Sequence, residues 1–382
     1  MLTLEGCEVR QRRLRDRLAA EGIDAIVLTD QRDIYYLTGI LLCSDPAFTF
    51  PAFYILETDG GSWLASHSDE GEALVDDWIV YEWHKLYTLN PDPLRQLDAV
   101  VSQRLRDQPT ASRIGWQEEA LPKCLADTLA RTVDPSTWVP VDDLLAELQK
   151  RKEPDEVALL KRAIDADLAA YTAAQEAIAP GVNELEVLAA GQRAAMHSAG
   201  EVIHHGGDYQ CGEFGGPARD RKIEAGELYI IDAHSTYRGY WADLCRTFVV
   251  EGEATEIQLS AYEHLTRILE DVPELVRPGG NATELWRTVD ARIREHPAFA
   301  DTGLIHHAGH GVGLRPHEAP DLNRDREGVF EVGDVFSCEP GAYCEELRAG
   351  IRLENTFLIT ESGVENLSEY PLDPIPGGRG PR

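Results

Sequence analysis

Residues 306–320 read HHAGHGVGLRPHEAP, four histidines and three glycines closing on a proline. Imidazole is the commonest metal ligand and the usual acid or base near neutral pH. Gly309, Gly311 and Gly313 each weaken a regular element, so a folded loop whose backbone runs close to something is expected. His306 and His307 read equally well as half-buried loop histidines. His310 and His317 gain meaning from acidic residues elsewhere. Asp232 lies in LYIIDAH, Asp243 in YWADLCRTFVV, Glu339 after VFSC and Glu354 in GIRLENTFLIT, all apolar, strand-like runs. Carboxylates are depleted in sheets and costly when buried unpaired. Four of them with a histidine point to a cation site; the alternative is ordinary ion pairing with Arg246, Arg348 and Arg352.

Charge counting sharpens the first reading. One divalent ion among four carboxylates leaves two negative charges uncompensated, whereas two ions balance them, at a spacing of about 3.5–4 Å. Oxygen-rich ligation with one imidazole favours Mn²⁺, with Co²⁺, Fe²⁺ or Zn²⁺ as alternatives.

The elements that would carry these residues follow from periodicity. LYIIDAHSTYRGYWADLCRTFVV reads as two strands meeting near Arg238–Gly239, a hairpin able to bring Asp232 and Asp243 together. In GIRLENTFLIT, alternation sends Arg352, Glu354 and Thr356 to one face and Ile351, Leu353 and Asn355 to the other. Ahead of the hairpin, the alanine-rich segment after Pro154 reads as one helix to Ala179, and 183–200 as a second. Two more helices are expected over about 254–275 and 282–295. Before residue 145 the pattern alternates: a helix over 8–21, then DAIVLTD, YYLTGILL, FPAFYILE, SWLAS and WIVYEW as β-rich segments, with a helix near 94–107. The expected organisation is an α/β domain over 1–148, an α+β domain over 149–373 carrying all candidate site residues, and a disordered tail over 374–382.

The chain has 382 residues and a formal net charge of -31, which disfavours nucleic acid and anionic membranes as partners. Its basic residues are six Lys against thirty Arg, and an acidic, lysine-poor composition suits a salt-rich cytoplasm. Seven cysteines without a CxxC pair indicate reduced thiols and a cytoplasmic protein. Neither a signal-peptide core nor an apolar run of eighteen residues is present.

IIDAHSTYRGYWADLCRTF, GHGVGLRPHEAP, SCEPGAY and IRLENT, in this order, resemble the successive motifs of the creatinase, prolidase and aminopeptidase P family, the pita-bread dimetal hydrolases. KEPDEVALLKRAIDADLAAYTAAQEAIAPGVNELEV is similar to the family's entry helices, and DAIVLTDQRDIYYLTGI to the N-terminal domain of its two-domain members. The resemblance implies that Asp232, Asp243, His310, Glu339 and Glu354 bind two divalent ions, with Asp243 and Glu354 bridging. Glu339 would also shuttle a proton, and His317 would contact the substrate at the scissile group without binding metal. Arg352 and Tyr343 match residues that orient the ligands. The implied reaction is cleavage of Xaa-Pro bonds by a hydroxide bridging the ions, in a homodimer acting on small peptides.

Departures keep alternatives open. Peptidases of the family carry a substrate-contacting histidine where this chain has Gly215 or Glu213, with only His204 and His205 nearby. A small-molecule C–N hydrolase, similar to creatinase or ectoine hydrolase, is therefore the second reading, and a non-catalytic binding protein the third. Asn355 replaces an aspartate of the usual motif. Arg324 or Arg326 is the expected holder of a dipeptide's carboxylate. The aromatic stretch 44–56 is expected either to roof a neighbouring subunit's site or to be a core strand.

Overall fold

The computed structural model describes residues 1–42, 50–86, 88–89, 91–107, 112–251 and 254–374. Its contacts divide the chain into two compact units, Met1–Gln149 and Lys150–Arg382. In the first, a six-stranded mixed sheet runs in the order Asp77–Val80, Ser62–Ser66, Phe53–Glu57, Ala25–Leu28, Ile114–Trp116, Val139–Pro140. Ala25–Leu28 pairs antiparallel with Phe53–Glu57 and parallel with Ile114–Trp116. Helices Leu4–Glu21 and Pro93–Asp107 accompany the sheet.

YYLTGILL departs from its β reading. Gln31–Thr38 is a helix, started by Asp30, whose side chain accepts from Arg32 N–H, and ended by Gly39 in the left-handed region. Caps at both ends and burial of Ile34, Tyr35, Tyr36 and Leu37 override the β preference of these aromatic residues. Of the stretch 44–56, residues 44–49 lie outside the described residues, while Phe53–Glu57 is a core strand with four fully buried residues.

The second unit opens with Pro154–Ala177, whose start is fixed by proline in the first turn and a Glu153/Glu156 capping box. Its buried stripe, including Ala163, Ala166, Ala170, Tyr171 and Ala174, follows the helical repeat. Tyr171 Oη donates to Ile231 O at 2.9 Å, seating this helix on a three-stranded antiparallel sheet of Tyr240–Val249, Leu228–Tyr237 and His205–Cys211. A five-stranded sheet follows in the order Glu318–Leu322, Gly309–Gly311, Val335–Cys338, Asn355–Thr360, Gly363–Asn366, and Gly341–Cys344 pairs with Ala349–Arg352 separately.

Two expectations change here. Part of 306–320 is regular: Gly309–Gly311 and Glu318–Leu322 are antiparallel strands with a register shift after His310. The run from 349 to 360 is not one strand, because it breaks at Leu353–Glu354 and passes from one sheet to another. Pro374, the first residue of the expected tail, is held, its carbonyl accepting from Val249 N–H at 2.6 Å; residues 375–382 lie outside the described residues. Among the described residues no helix is long and apolar enough to cross a membrane.

Candidate metal centre

The hairpin is the site's foundation. Arg238 and Gly239 both adopt positive φ, 48° and 88°, the two-residue turn whose twist matches paired strands. The register then sets Asp232 opposite Cys245 and His234 opposite Asp243. Residues directly opposite share a face, as do i and i+2, so Asp232, His234 and Asp243 project together.

His310 stands at the middle of Gly309–Gly311, buried between two strands. A Cβ on Gly309 would lie 2.0 Å from Ser337 O, and one on Gly311 would lie 2.0 Å from Ala319 O. Gly309 and Gly311 are thus required by close approach of neighbouring backbone, which is what this stretch runs close to. His310 Nδ1 bonds to Gly311 O at 3.0 Å, leaving Nε2 to face the carboxylates, 3.6 Å from Glu339 Oε1 and 3.8 Å from Asp243 Oδ2. Such a backbone anchor orients a metal-ligating imidazole.

Glu339 leaves the Val335–Cys338 strand just before Pro340, its N–H donating to Ala308 O at 2.9 Å. Glu354 sits at the break between strands and is fixed by its N–H donating to Cys245 O at 3.0 Å. Both of its carboxylate oxygens are buried without a hydrogen-bond partner. The donor atoms of Asp232, Asp243 and Glu354 lie within 4.8 Å of one another, and so do those of His310, Glu339 and Glu354. Two donor sets sharing Glu354, all oxygen but one, fit a pair of divalent cations. His317 stacks on His310, ring centroids 3.7 Å apart, and a nitrogen of each, with an oxygen of Asp243, falls within the same 4.8 Å limit.

Burial is the main force on protonation. It pushes Asp243, Glu339 and Glu354 well above the ordinary carboxylate range, reinforced by Glu354 on Asp243, by Asp232 on Glu339 and by Glu339 on Glu354. Burial, with help from His317, depresses His310 to about 3, leaving it neutral and able to coordinate. Arg352 is the cation within the cluster: Nε lies 2.6 Å from Asp232 Oδ2, Nη2 lies 2.6 Å from Asp208 Oδ2, and Nη1 bonds to Tyr343 Oη at 3.2 Å. Arg246 serves the site differently, bonding to the carbonyls of Cys245 and Glu354 and to Asn355 Oδ1, without a carboxylate. Asn355 thus points away from the ligands, as alternation indicated.

A cavity of about 230 Å³ opens onto this cluster, lined by the five candidate ligands with His306, His307, His317 and Arg352. The sequence reading missed Asp208, His234 and the inward placement of His306 and His307. His306 Nε2 bonds to Tyr343 Oη at 3.0 Å, and His307 Nδ1 lies 3.1 Å from Glu339 Oε1. Beside them, His204 and His234 meet through Nε2 at 3.2 Å, with Trp241 against both rings.

At 215 the absence of a side chain has a physical reason. A Cβ there would lie 2.3 Å from Asp208 Oδ2 and 3.2 Å from Arg352 Nη2, so that ion pair fills the space. Glu213 turns to Arg219 at 3.2 Å and is not among the cavity residues. Arg324 and Arg326 do not line the cavity either; their side chains are 72% and 76% exposed and pair with Asp325 and Asp321.

Comparison with known proteins agrees with this geometry. The chain is 32% identical to the Xaa-Pro dipeptidase of Pyrococcus horikoshii over 91% of its own length and 93% of the relative's. It is 30% identical to a probable dipeptidase of Mycobacterium bovis over 96% of each chain. Its fold is similar to that of the prolidase from Pyrococcus furiosus, with a TM-score of 0.73, 25% identity, and coverage of 94% of this chain and 99% of that one. Residues 10–150 match the creatinase/prolidase N-terminal domain and residues 158–361 match metallopeptidase family M24, and the chain, a two-domain pita-bread enzyme, belongs to that family.

Proposed function

We propose that the protein is an Xaa-Pro dipeptidase that works with two divalent cations, Mn²⁺ first among them. The observation that carries the reading is Glu354, buried with both oxygens unpartnered between two donor sets. The names of the similar proteins supply the substrate class. Asp232, Asp243, His310, Glu339 and Glu354 hold the ions, whose chemistry is to make water nucleophilic at neutral pH and to polarise the scissile carbonyl. Glu339 takes the proton of the attacking water and passes it to the leaving nitrogen. His317, exposed at the rim and stacked on His310, hydrogen-bonds the carbonyl oxygen as charge develops on it. Arg352 holds Asp232 in place from behind.

The rest of the reading is a cytoplasmic homodimer adapted to high salt. The thiols of Cys124, Cys211, Cys245, Cys338 and Cys344, which form no disulfide among the described residues, and the net charge of -31 support the compartment and the salt. The bare Gly215 favours a second reading, hydrolysis of a small cyclic amidine or guanidino compound.

Protein reconstituted with Mn²⁺ or Co²⁺ should hold up to two ions and cleave Xaa-Pro dipeptides. His310→Ala should lower the metal content, whereas His317→Ala should keep the metal and lose turnover. Absence of bound metal would overturn the site; cleavage of an amidine but of no Xaa-Pro peptide would overturn the substrate.

A further inference from the structure

His317 is an exposed residue of the cavity wall, held by ring contacts with His310 and His307. Among the described residues its ring makes no hydrogen bond, so it is only as well aimed as the turn that carries it. That turn, residues 313–318, closes on one carboxylate. Glu318 Oε2 accepts from Arg315 N–H at 3.3 Å, and Gly313 N–H donates to Arg315 O at 3.2 Å. Glu318 Oε1 lies against Gly313, where an added Cβ would collide with it. The bare glycine thus gives the carboxylate its place inside the turn, and Trp241 N–H, donating to Gly313 O at 2.8 Å, ties the turn to the hairpin that carries Asp232 and Asp243.

From the other side Glu318 is met by Lys152. Its Nζ donates to Glu318 Oε1 and to Lys150 O, the latter at 3.2 Å, while its backbone N–H donates to Gly333 O at 2.9 Å. Both side chains of the pair are withdrawn from water, Lys152 1% and Glu318 8% exposed. Such a pair adds little stability over apolar residues of the same size, yet either member is costly without the other. The carboxylate is therefore confined to where the ammonium stands. Lys152 is itself well fixed, two residues ahead of the capped start of Pro154–Ala177. We propose that Lys152 is a positioning residue for His317: acting through Glu318, it fixes the turn that aims this imidazole into the cavity. The consequence for catalysis rests on the role given to His317 in the Xaa-Pro reading above.

The test uses the full-length protein, metal-free for nuclear magnetic resonance of the histidine rings and Mn²⁺-loaded for kinetics on an Xaa-Pro dipeptide. The His317 signal is the one lost in His317→Ala. Stacking on His310 displaces that signal, so Lys152→Met should move it toward the position of an unstacked histidine. The same variant should keep its metal and lower kcat about 10²-fold, the scale of misplacing a reacting group by about 1 Å, with KM nearly unchanged. In a His317→Ala background Lys152→Met should cost no further activity, because the group it serves is gone. Glu318→Gln, which keeps the side chain's shape and drops its charge, should show the same pattern with a smaller fall, and it decides the matter should Lys152→Met fail to fold. An unmoved His317 signal, an undiminished fall in the His317→Ala background, or loss of metal would overturn the inference alone. Failure of the unsubstituted, metal-loaded protein to cleave any Xaa-Pro peptide would remove the dipeptidase reading itself, leaving the ring signal to decide the positioning.

Discussion

On one face of the Leu228–Tyr237/Tyr240–Val249 hairpin, Asp232 and Asp243 look toward Glu339 and Glu354; on the other face, Ser235 and His205 meet Asp167. Asp167 and Glu354 are equally inaccessible, each 1% exposed. Asp167 nevertheless has company: its Oδ1 accepts from Ser235 Oγ at 2.8 Å and lies 3.3 Å from His205 Nδ1, while His205 Nε2 meets Tyr209 Oη at 2.7 Å. Glu354 has no hydrogen-bond partner on either oxygen. A buried carboxylate is tolerated when the protein supplies its partners and is costly when it does not. The difference teaches that the protein partners one oxygen of Asp167 and leaves only Oδ2 bare, whereas it leaves both oxygens of Glu354 bare, on the face whose donor sets suit cations.

Substitution on each face should move stability in opposite directions. Glu354→Gln should abolish ion binding and lower activity by at least about 10³-fold, yet raise the stability of the metal-free protein by about 1–2 kcal/mol, because an uncompensated acid is removed. Asp167→Asn should keep both ions and cost about 2–3 kcal/mol, since it disturbs the buried contacts of Asp167 Oδ1 with Ser235 and His205. Elemental analysis with denaturant melts of both variants checks the contrast, and metal-free Glu354→Gln less stable than the unsubstituted protein would break it.

Acidity sharpens the same contrast. Asp243, Glu339 and Glu354 hold protons in the metal-free folded chain that the unfolded chain releases. Their raised folded-state values give stability that is fully present below the ordinary carboxylate range and lost as pH rises through those values. Cations displace the protons, so binding tightens with pH. The rise in melting temperature on adding Mn²⁺ should therefore grow steadily from pH 5 to pH 8; a pH-independent rise would mean these carboxylates are already ionised without metal.

The smallest expected effect concerns the surface. With a net charge of -31, KCl up to molar concentration should raise the melting temperature by several degrees through screening. A flat or falling response would remove the high-salt reading without touching either face of the hairpin.

Much of the carboxylate cluster was legible because its signals are local. Acidic residues inside apolar runs mark Asp232, Asp243 and Glu354 before any fold is known, and Arg238–Gly239 marks the turn that joins two of them. The His205–Cys211 strand was not, since HGGDYQC carries two glycines and little β character; its place comes from backbone pairing with Leu228–Tyr237. Asp208 rides on that strand, so its partnership with Arg352 across 144 positions left no trace in spacing. His307 is similar: nothing local separates it from His306, and only the fold shows that His306 meets Tyr343 while His307 faces Glu339.

Glu354 stands where the chain leaves one sheet for another, and Asp232 precedes it by 122 positions. Cations gripped by both would clasp distant parts of the polypeptide much as a disulfide does, and closing a loop of about 100 residues in that way restricts the unfolded chain by about 4–5 kcal/mol in the chain-entropy account. The clasp also has an order in time. During synthesis the hairpin, the glycine strand and Glu339 all emerge before Glu354 does, so a grip by all five residues waits until Glu354 has emerged. Resistance to proteolysis would then report how far assembly has gone.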